Sequence, residues 1–315
     1  MRILITGAAG NLGSFLSRSL LDSPHALRLL VHRNNVATDI AGHRYVEICR
    51  ADLAEPDTLG IACQGADCIV HLAGLLFAPR PEKFLSTTNV TYVQNLMSAA
   101  MVAGVGKFIL VSFPHVEGES SPEKPSLGRL DGQPSSVHAR TRLAAEQYLF
   151  ATCQHSSTTP VALRAGMIYG RGVLMIEAAR WLMRHRLLAV WREPTWEHLL
   201  ALPDFLTVLR MAIERPDVSG IYNVADDQPM TLQEFLDTVA EHWGYAKPWR
   251  CPRWVFPLAG ASCEAFASVF GTKSLLTRDF IKIGMVSSVA DTSRMMRALL
   301  PRLAYPTLRH GLELL

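Results

Sequence analysis

The run "ITGAAGNLGSFL" constrains this chain more than any other. It places Gly7, Gly10 and Gly13 directly after the β-rich "RILIT" (2–6) and at the start of a helical stretch. The first glycine permits a tight turn, the second lets backbone approach a phosphate, and the third lets helix pack closely on strand. Amides freed at the helix start, aided by its dipole, then hold a pyrophosphate. The strand–turn–helix setting therefore implies dinucleotide binding, with Asn11 and Leu12 as further contacts within the turn.

The rest of the first half fits such a turn. Runs at 27–32, 45–50, 68–74, 108–113 and 161–170 read as strands, several nearly continuous in apolar residues, as strands covered on both faces are. Helical patterns such as "NLGSFLSRSLLD" and "NVTYVQNLMSAAMVAG" lie between them. This alternation predicts an α/β fold, a Rossmann-type doubly wound parallel sheet. After about Gly172 the pattern turns mainly helical. The expected organisation is a cofactor-binding domain over 1–172, completed by a strand near 220–227, and a smaller, mainly helical substrate-binding lobe over 173–315. Residues 117–136, rich in Ser, Pro and Gly, read as a loop placed to cover a site.

Charge and cysteine content exclude several classes. A net charge of +3 without a Lys/Arg run argues against nucleic acid. A strand begins almost at Met1, which predicts no signal peptide and a cytoplasmic protein. The longest apolar stretch, Trp254 to Gly271, is interrupted by Pro257 and Glu264 and does not read as a transmembrane segment. It reads as a packed helix, with a surface-lying helix as the alternative because Lys273, Arg278 and Lys282 follow. The six cysteines have neither CxxC pairs nor zinc-site spacing, so no metal site is expected.

At the end of the second strand an NAD site carries a carboxylate for the ribose diol. Here "LVHRNN" offers His32 and Arg33 instead. Arginine suits a 2′-phosphate, so NADP(H) is expected over NAD(H); the alternative is that Arg33 is merely solvated.

With these motifs in order, the chain resembles the extended, epimerase/dehydratase-like branch of the short-chain dehydrogenase/reductase superfamily over nearly its whole length. "ADL" (51–53) resembles the segment that meets the adenine, implicating Asp52 and Leu53. "HLAG" (71–74) matches the turn lining the cofactor, implicating Leu72, Ala73 and Gly74, and Asn89 matches the family's helix-borne asparagine. The resemblance also implies homodimers built on paired helices.

The likeness breaks at the chemistry. The family's Tyr-x-x-x-Lys pair aligns with His138 and Arg142. On a helix, residues four apart share a face, which lets the first exchange a proton with substrate while the second holds the nicotinamide ribose. The usual hydroxyl-bearing position is Phe113; the adjacent Ser112 is a candidate, but neighbouring strand residues face opposite ways. Histidine titrates near 6.5 and tyrosine near 10, so His138 suits neutral proton transfer. Arg142 still donates hydrogen bonds but relays no proton; its charge should lower the His138 pKa and favour a base. Glu146 is placed to pair with Arg142, and His115 and Glu117 are further titratable candidates.

Tryptophans 181, 191, 196, 243, 249 and 254 read mainly as core, or, if they line a pocket, as walls for an apolar substrate. Arg164, Arg171, Arg184 and Arg186 would instead meet a phosphate or carboxylate. The leading expectation is an NAD(P)-binding oxidoreductase or epimerase/dehydratase-like enzyme acting on a small molecule. The alternatives are a non-catalytic NADP(H)-binding sensor or assembly protein and a non-redox isomerase or lyase.

Overall fold

The computed structural model describes residues 1–74, 81–270 and 277–315, with Phe270 described by its backbone alone. Gly271 and Lys273 lie outside the described residues. Six strands, β1 (Arg2–Thr6), β2 (Ala26–Val31), β3 (Val46–Arg50), β4 (Cys68–His71), β5 (Lys107–Ser112) and β6 (Thr159–Ala165), join the strand Gly220–Val224 in one parallel sheet. The spatial order is Gly220–Val224, β6, β5, β4, β1, β2, β3. Strand order reverses at β1, which pairs with β2 on one side and β4 on the other. A crevice opens outside the strand ends at such a reversal, and ligands of open α/β sheets bind there.

Alternation along each strand feeds two apolar layers. Ile3, Ile5, Leu29 and Val70 face one side, against Leu16 of helix α1 (Asn11–Ser19) and Phe205 of the Leu202–Glu214 helix. Leu4, Leu30 and Ile69 face the other, against Leu96, Met97 and Leu149. Each fully buried leucine contributes about 1.5–3 kcal/mol. The first layer continues into the C-terminal lobe through Val190, Trp191 and Phe256. The architecture is thus a Rossmann-like parallel sheet with a C-terminal lobe.

Two expectations change and a third is sharpened. The run 161–170 is not one strand: β6 ends at Ala165, and Met167–Tyr169 leaves the sheet to pair with Leu199–Ala201 in the lobe. The 117–136 stretch is irregular past Glu117, as read, and backbone hydrogen bonds tie it down, which a covering loop did not require. Ser120 N–H donates to Ser287 O, Ser126 N–H to Val289 O, and Asn223 Nδ2 to Ser126 O. Of the tryptophans, Trp191 is buried, but Trp181, Trp249 and Trp254 are more than half exposed. Among the described residues no helix is long and apolar enough to cross a membrane.

Candidate active site

The glycine turn sits at the sheet crevice. Gly7 adopts φ +72°, a left-handed conformation that favours glycine. A Cβ on Gly13 would lie 2.1 Å from Gly7 O, so helix and turn close only without a side chain there. Gly10 precedes α1 without a side-chain cap, and the first turn holds no acidic residue, so its amides remain available to an anion. The Asn11 side chain is used otherwise: its Nδ2 donates to Gly172 O and its Oδ1 accepts from Leu174 N–H, clasping the turn to the lobe. Leu72–Gly74 runs alongside, with Leu72 N–H on Thr6 O.

At the far end of the crevice, His32 and Arg33 follow β2 and are exposed. His32 Nε2 lies 3.3 Å from Asp52 Oδ2, and Asp52 Oδ1 accepts from Ala54 N–H. The Leu53 carbonyl is fixed by Asn95 Nδ2. The sequence reading missed Arg50, the last residue of β3. Its guanidinium donates to Asn35 Oδ1 and His32 O, bringing a second cation to the strand end that carries Arg33.

His138 and Arg142 lie in the first turns of the Val137–Cys153 helix, whose N-terminus is capped by Ser136. Asp279 also accepts from the amides of Val137 and His138. Asn89 Nδ2 donates to Thr141 Oγ1 and so fixes the helix beside the sheet. Arg142 is buried, and its Nε and Nη1 have no hydrogen-bond partner. Its Nη2 lies 3.0 Å from where a Cβ on Gly74 would stand. Burial, opposed by the Glu146 charge, brings the guanidinium down to about 10.

His138 is packed against Phe113, ring centroids 5.2 Å apart, so an aromatic ring and not the Ser112 hydroxyl adjoins it. Ser112 Oγ is buried without a partner, and no hydrogen bond joins it to His138. Burial first, then the charges of Arg142 and His115, lowers the His138 pKa to about 3. The direction is as expected, but the size changes the chemistry. A ring this reluctant to take a proton stays neutral at pH 7, a hydrogen-bonding partner and a feeble base.

The expected Glu146–Arg142 pair does not form. Helical spacing puts Glu146 four residues from Arg142, but β6 brings Arg164 closer, and Arg164 Nη2 donates to Glu146 at 2.6 Å. Arg164 also binds Glu117 (2.5 Å) and the Arg129 carbonyl and is fully buried. Glu117 accepts in addition from the amides of Leu127 and Gly128. Arg164 and Glu117 are therefore committed to holding the 117–129 segment and are not open to a ligand; Arg171, Arg184 and Arg186 are exposed.

On the wall contributed by the lobe, Glu197 of the strand Trp196–Glu197 was missed by sequence reading. Its Oε1 lies 4.0 Å from His115 Nε2, and both side chains are largely buried. Burial raises the Glu197 pKa well above the usual carboxylate range, and lowers His115 to about 4 against the polar Val286 backbone. At pH 7 His115 is neutral, and burial favours the protonated form of Glu197. The available signal was a lone carboxylate inside the apolar run "WEHLLAL". His198 beside it is satisfied, its Nε2 on Asp226 O and its Nδ1 facing the Ala290 amide. No cluster able to hold a metal occurs among the described residues.

These residues fit a nicotinamide dinucleotide: an uncapped helix start beside a glycine turn, and orphaned donors of a buried arginine across the crevice. The NAD dependent epimerase/dehydratase family model matches residues 3–225. The chain is 26% identical over 229 residues to the uronate dehydrogenase of Pseudomonas syringae pv. tomato, covering 72% of this chain and 75% of that protein. It is 28% identical over 283 residues to the ceramide reductase of Caulobacter vibrioides, covering 87% and 80%. Among solved structures, the Thermus thermophilus UDP-glucose 4-epimerase complex with NAD has the same fold, with a TM-score of 0.75 at 22% identity over 100% of this chain and 97% of that one. Sheet, glycine turn and family match agree: this chain belongs to the NAD-dependent epimerase/dehydratase family, the extended short-chain dehydrogenases/reductases.

Proposed function

We propose that the protein is an NADP(H)-preferring oxidoreductase acting on an uncharged, largely apolar small molecule with one carbonyl or hydroxyl group. The observation that carries this reading is the wall facing Arg142. Phe113 carries no charge, His115 and His138 are neutral at neutral pH, burial favours the protonated form of Glu197, and the cation expected to meet a phosphate, Arg164, is consumed by Glu146 and Glu117. A diphosphate or sugar acid finds no paired charge there; an apolar body with one polar group fits it. One relative is named a ceramide reductase, after an uncharged and largely apolar molecule.

Gly7, Gly10, Asn11, Leu12 and Gly13 hold the pyrophosphate through backbone. His32, Arg33 and Arg50 meet the adenosine ribose and its 2′-phosphate, Asp52 and Leu53 the adenine, and Leu72–Gly74 the cofactor body. Residues 1–172, with the 220–227 strand, carry these contacts, and 173–315 carry most of the substrate wall. The bound cofactor supplies or accepts a hydride. Arg142 donates to the nicotinamide ribose, the neutral His138 orients the substrate oxygen, and Glu197, whose protonated form burial favours, gives the substrate oxygen its proton on reduction and takes it back on oxidation, with His115 beside it. A second reading, a non-catalytic NADP(H) sensor, is favoured by one observation: Phe113 fills the place beside His138 where the family carries a hydroxyl.

Calorimetric titration with NADPH, NADP⁺ and NADH tests the cofactor assignment. NADPH binds tighter than NADH, and Arg33→Ala weakens NADPH by about tenfold, ~1.4 kcal/mol, while leaving NADH unchanged. Equal loss for both cofactors contradicts a 2′-phosphate contact at Arg33.

A further inference from the structure

The helix Val255–Phe270 is apolar on both faces, an arrangement that suits a buried helix. At 100° per residue, Phe256, Gly260 and Ala267 form one stripe, and all three are buried, Phe256 against Trp191 and Gly260 beside Ile281. Trp254, at the helix entrance, with Leu258 and Val269 forms the opposite stripe, exposed to 67%, 60% and 77%. No charge lies on that outer stripe. The helix's one charged residue, Glu264, is held by Arg278, whose Nε and amide both donate to it. Asp279 is likewise turned inward, onto the amides of Val137 and His138. Glu264 and Arg278 offset each other as an ion pair, and the exposed Arg253 and Lys282 add a cationic edge beside the apolar ridge.

We propose that this ridge docks the protein on a membrane surface carrying anionic headgroups. The helix lies flat, with Trp254, Leu258 and Val269 in the acyl boundary and Arg253 and Lys282 at headgroup level. Its 16 residues span about 24 Å, short of a bilayer crossing. Pairing with a second copy through the same face would bring two cationic edges together, which disfavours that occupant. The same corner caps the helix that carries His138, so a docked protein presents its pocket next to the bilayer. This inference does not rest on the redox reading.

The test is co-sedimentation with vesicles of phosphatidylcholine alone and with about one third phosphatidylglycerol, in moderate and high salt. The expected result is binding about tenfold stronger to the anionic vesicles, weakened by salt. L258E/V269E should lower it by at least about tenfold and K282E by about fivefold. Unchanged circular-dichroism melting and NADPH titration show that the variants fold, and K282E keeps the test valid if the double variant does not. Three results overturn the proposal: no binding of wild type to either vesicle, undiminished binding of a folded L258E/V269E, or a wild-type dimer that ignores vesicles and that L258E/V269E converts to monomer.

Discussion

Two arginines are buried near the Val137–Cys153 helix, and the protein treats them differently. Arg164, from the sheet, meets Glu146, Glu117 and the Arg129 carbonyl, with each of its three nitrogens donating. Arg142, from the helix, makes no ion pair among the described residues, and two of its nitrogens have no partner. Desolvating a guanidinium is costly unless the surroundings satisfy it. The first arginine is explained by the fold alone. The second keeps donors free for something that arrives, and its Nη2 lies beside Gly74.

The contrast breaks most visibly at Glu146. Glu146→Gln leaves Arg164 with one carboxylate in a dry site, and stability should fall by about 3–5 kcal/mol in urea unfolding. A loss under about 1 kcal/mol would mean the cluster is not a structural anchor.

The next effect is in pH. Burial holds His71, His115, His138 and His198 at about 3, 4, 3 and 4. In the unfolded chain they titrate near 6.5, so below that pH the unfolded state takes up protons the folded state refuses, and stability falls with falling pH. Asp226, raised by burial to about 8, and Glu197, also raised, act in the opposite sense. Folded, they keep protons that the unfolded chain has lost, so stability falls as pH rises toward 8. The expected profile peaks near pH 6–7 and drops by about 2 kcal/mol per unit toward pH 5. Glu197→Gln should flatten the alkaline limb and steepen the fall toward pH 5, because the unfolded chain has already lost that proton there. A profile that climbs steadily through pH 8 would show that both acids ionise in the folded protein.

The same contrast explains what the sequence could reveal. The glycine turn, the parallel strands and the His138/Arg142 pair were legible because backbone conformation and helical spacing are local. Spacing also suggested Glu146 for Arg142; the competing partner, Arg164, comes from a strand, and only the tertiary fold brings it near. Arg50 and Glu197 stayed hidden for that reason, one on an edge strand and one across the crevice in the lobe. Trp254 misled in another way: apolar periodicity marks a face that leaves water, without saying what covers it.

The most direct test is thermal unfolding of wild type and Arg142→Met, each alone and with saturating NADPH. Without cofactor, the variant should melt at the wild-type temperature or above it, by up to about 1 kcal/mol, because it removes an unpaired buried charge. With NADPH, wild type should gain stability by mass action and the variant should lose most of that gain. A variant that melts far below wild type alone, yet keeps the full NADPH shift, would show that Arg142 serves the fold and does not face the cofactor.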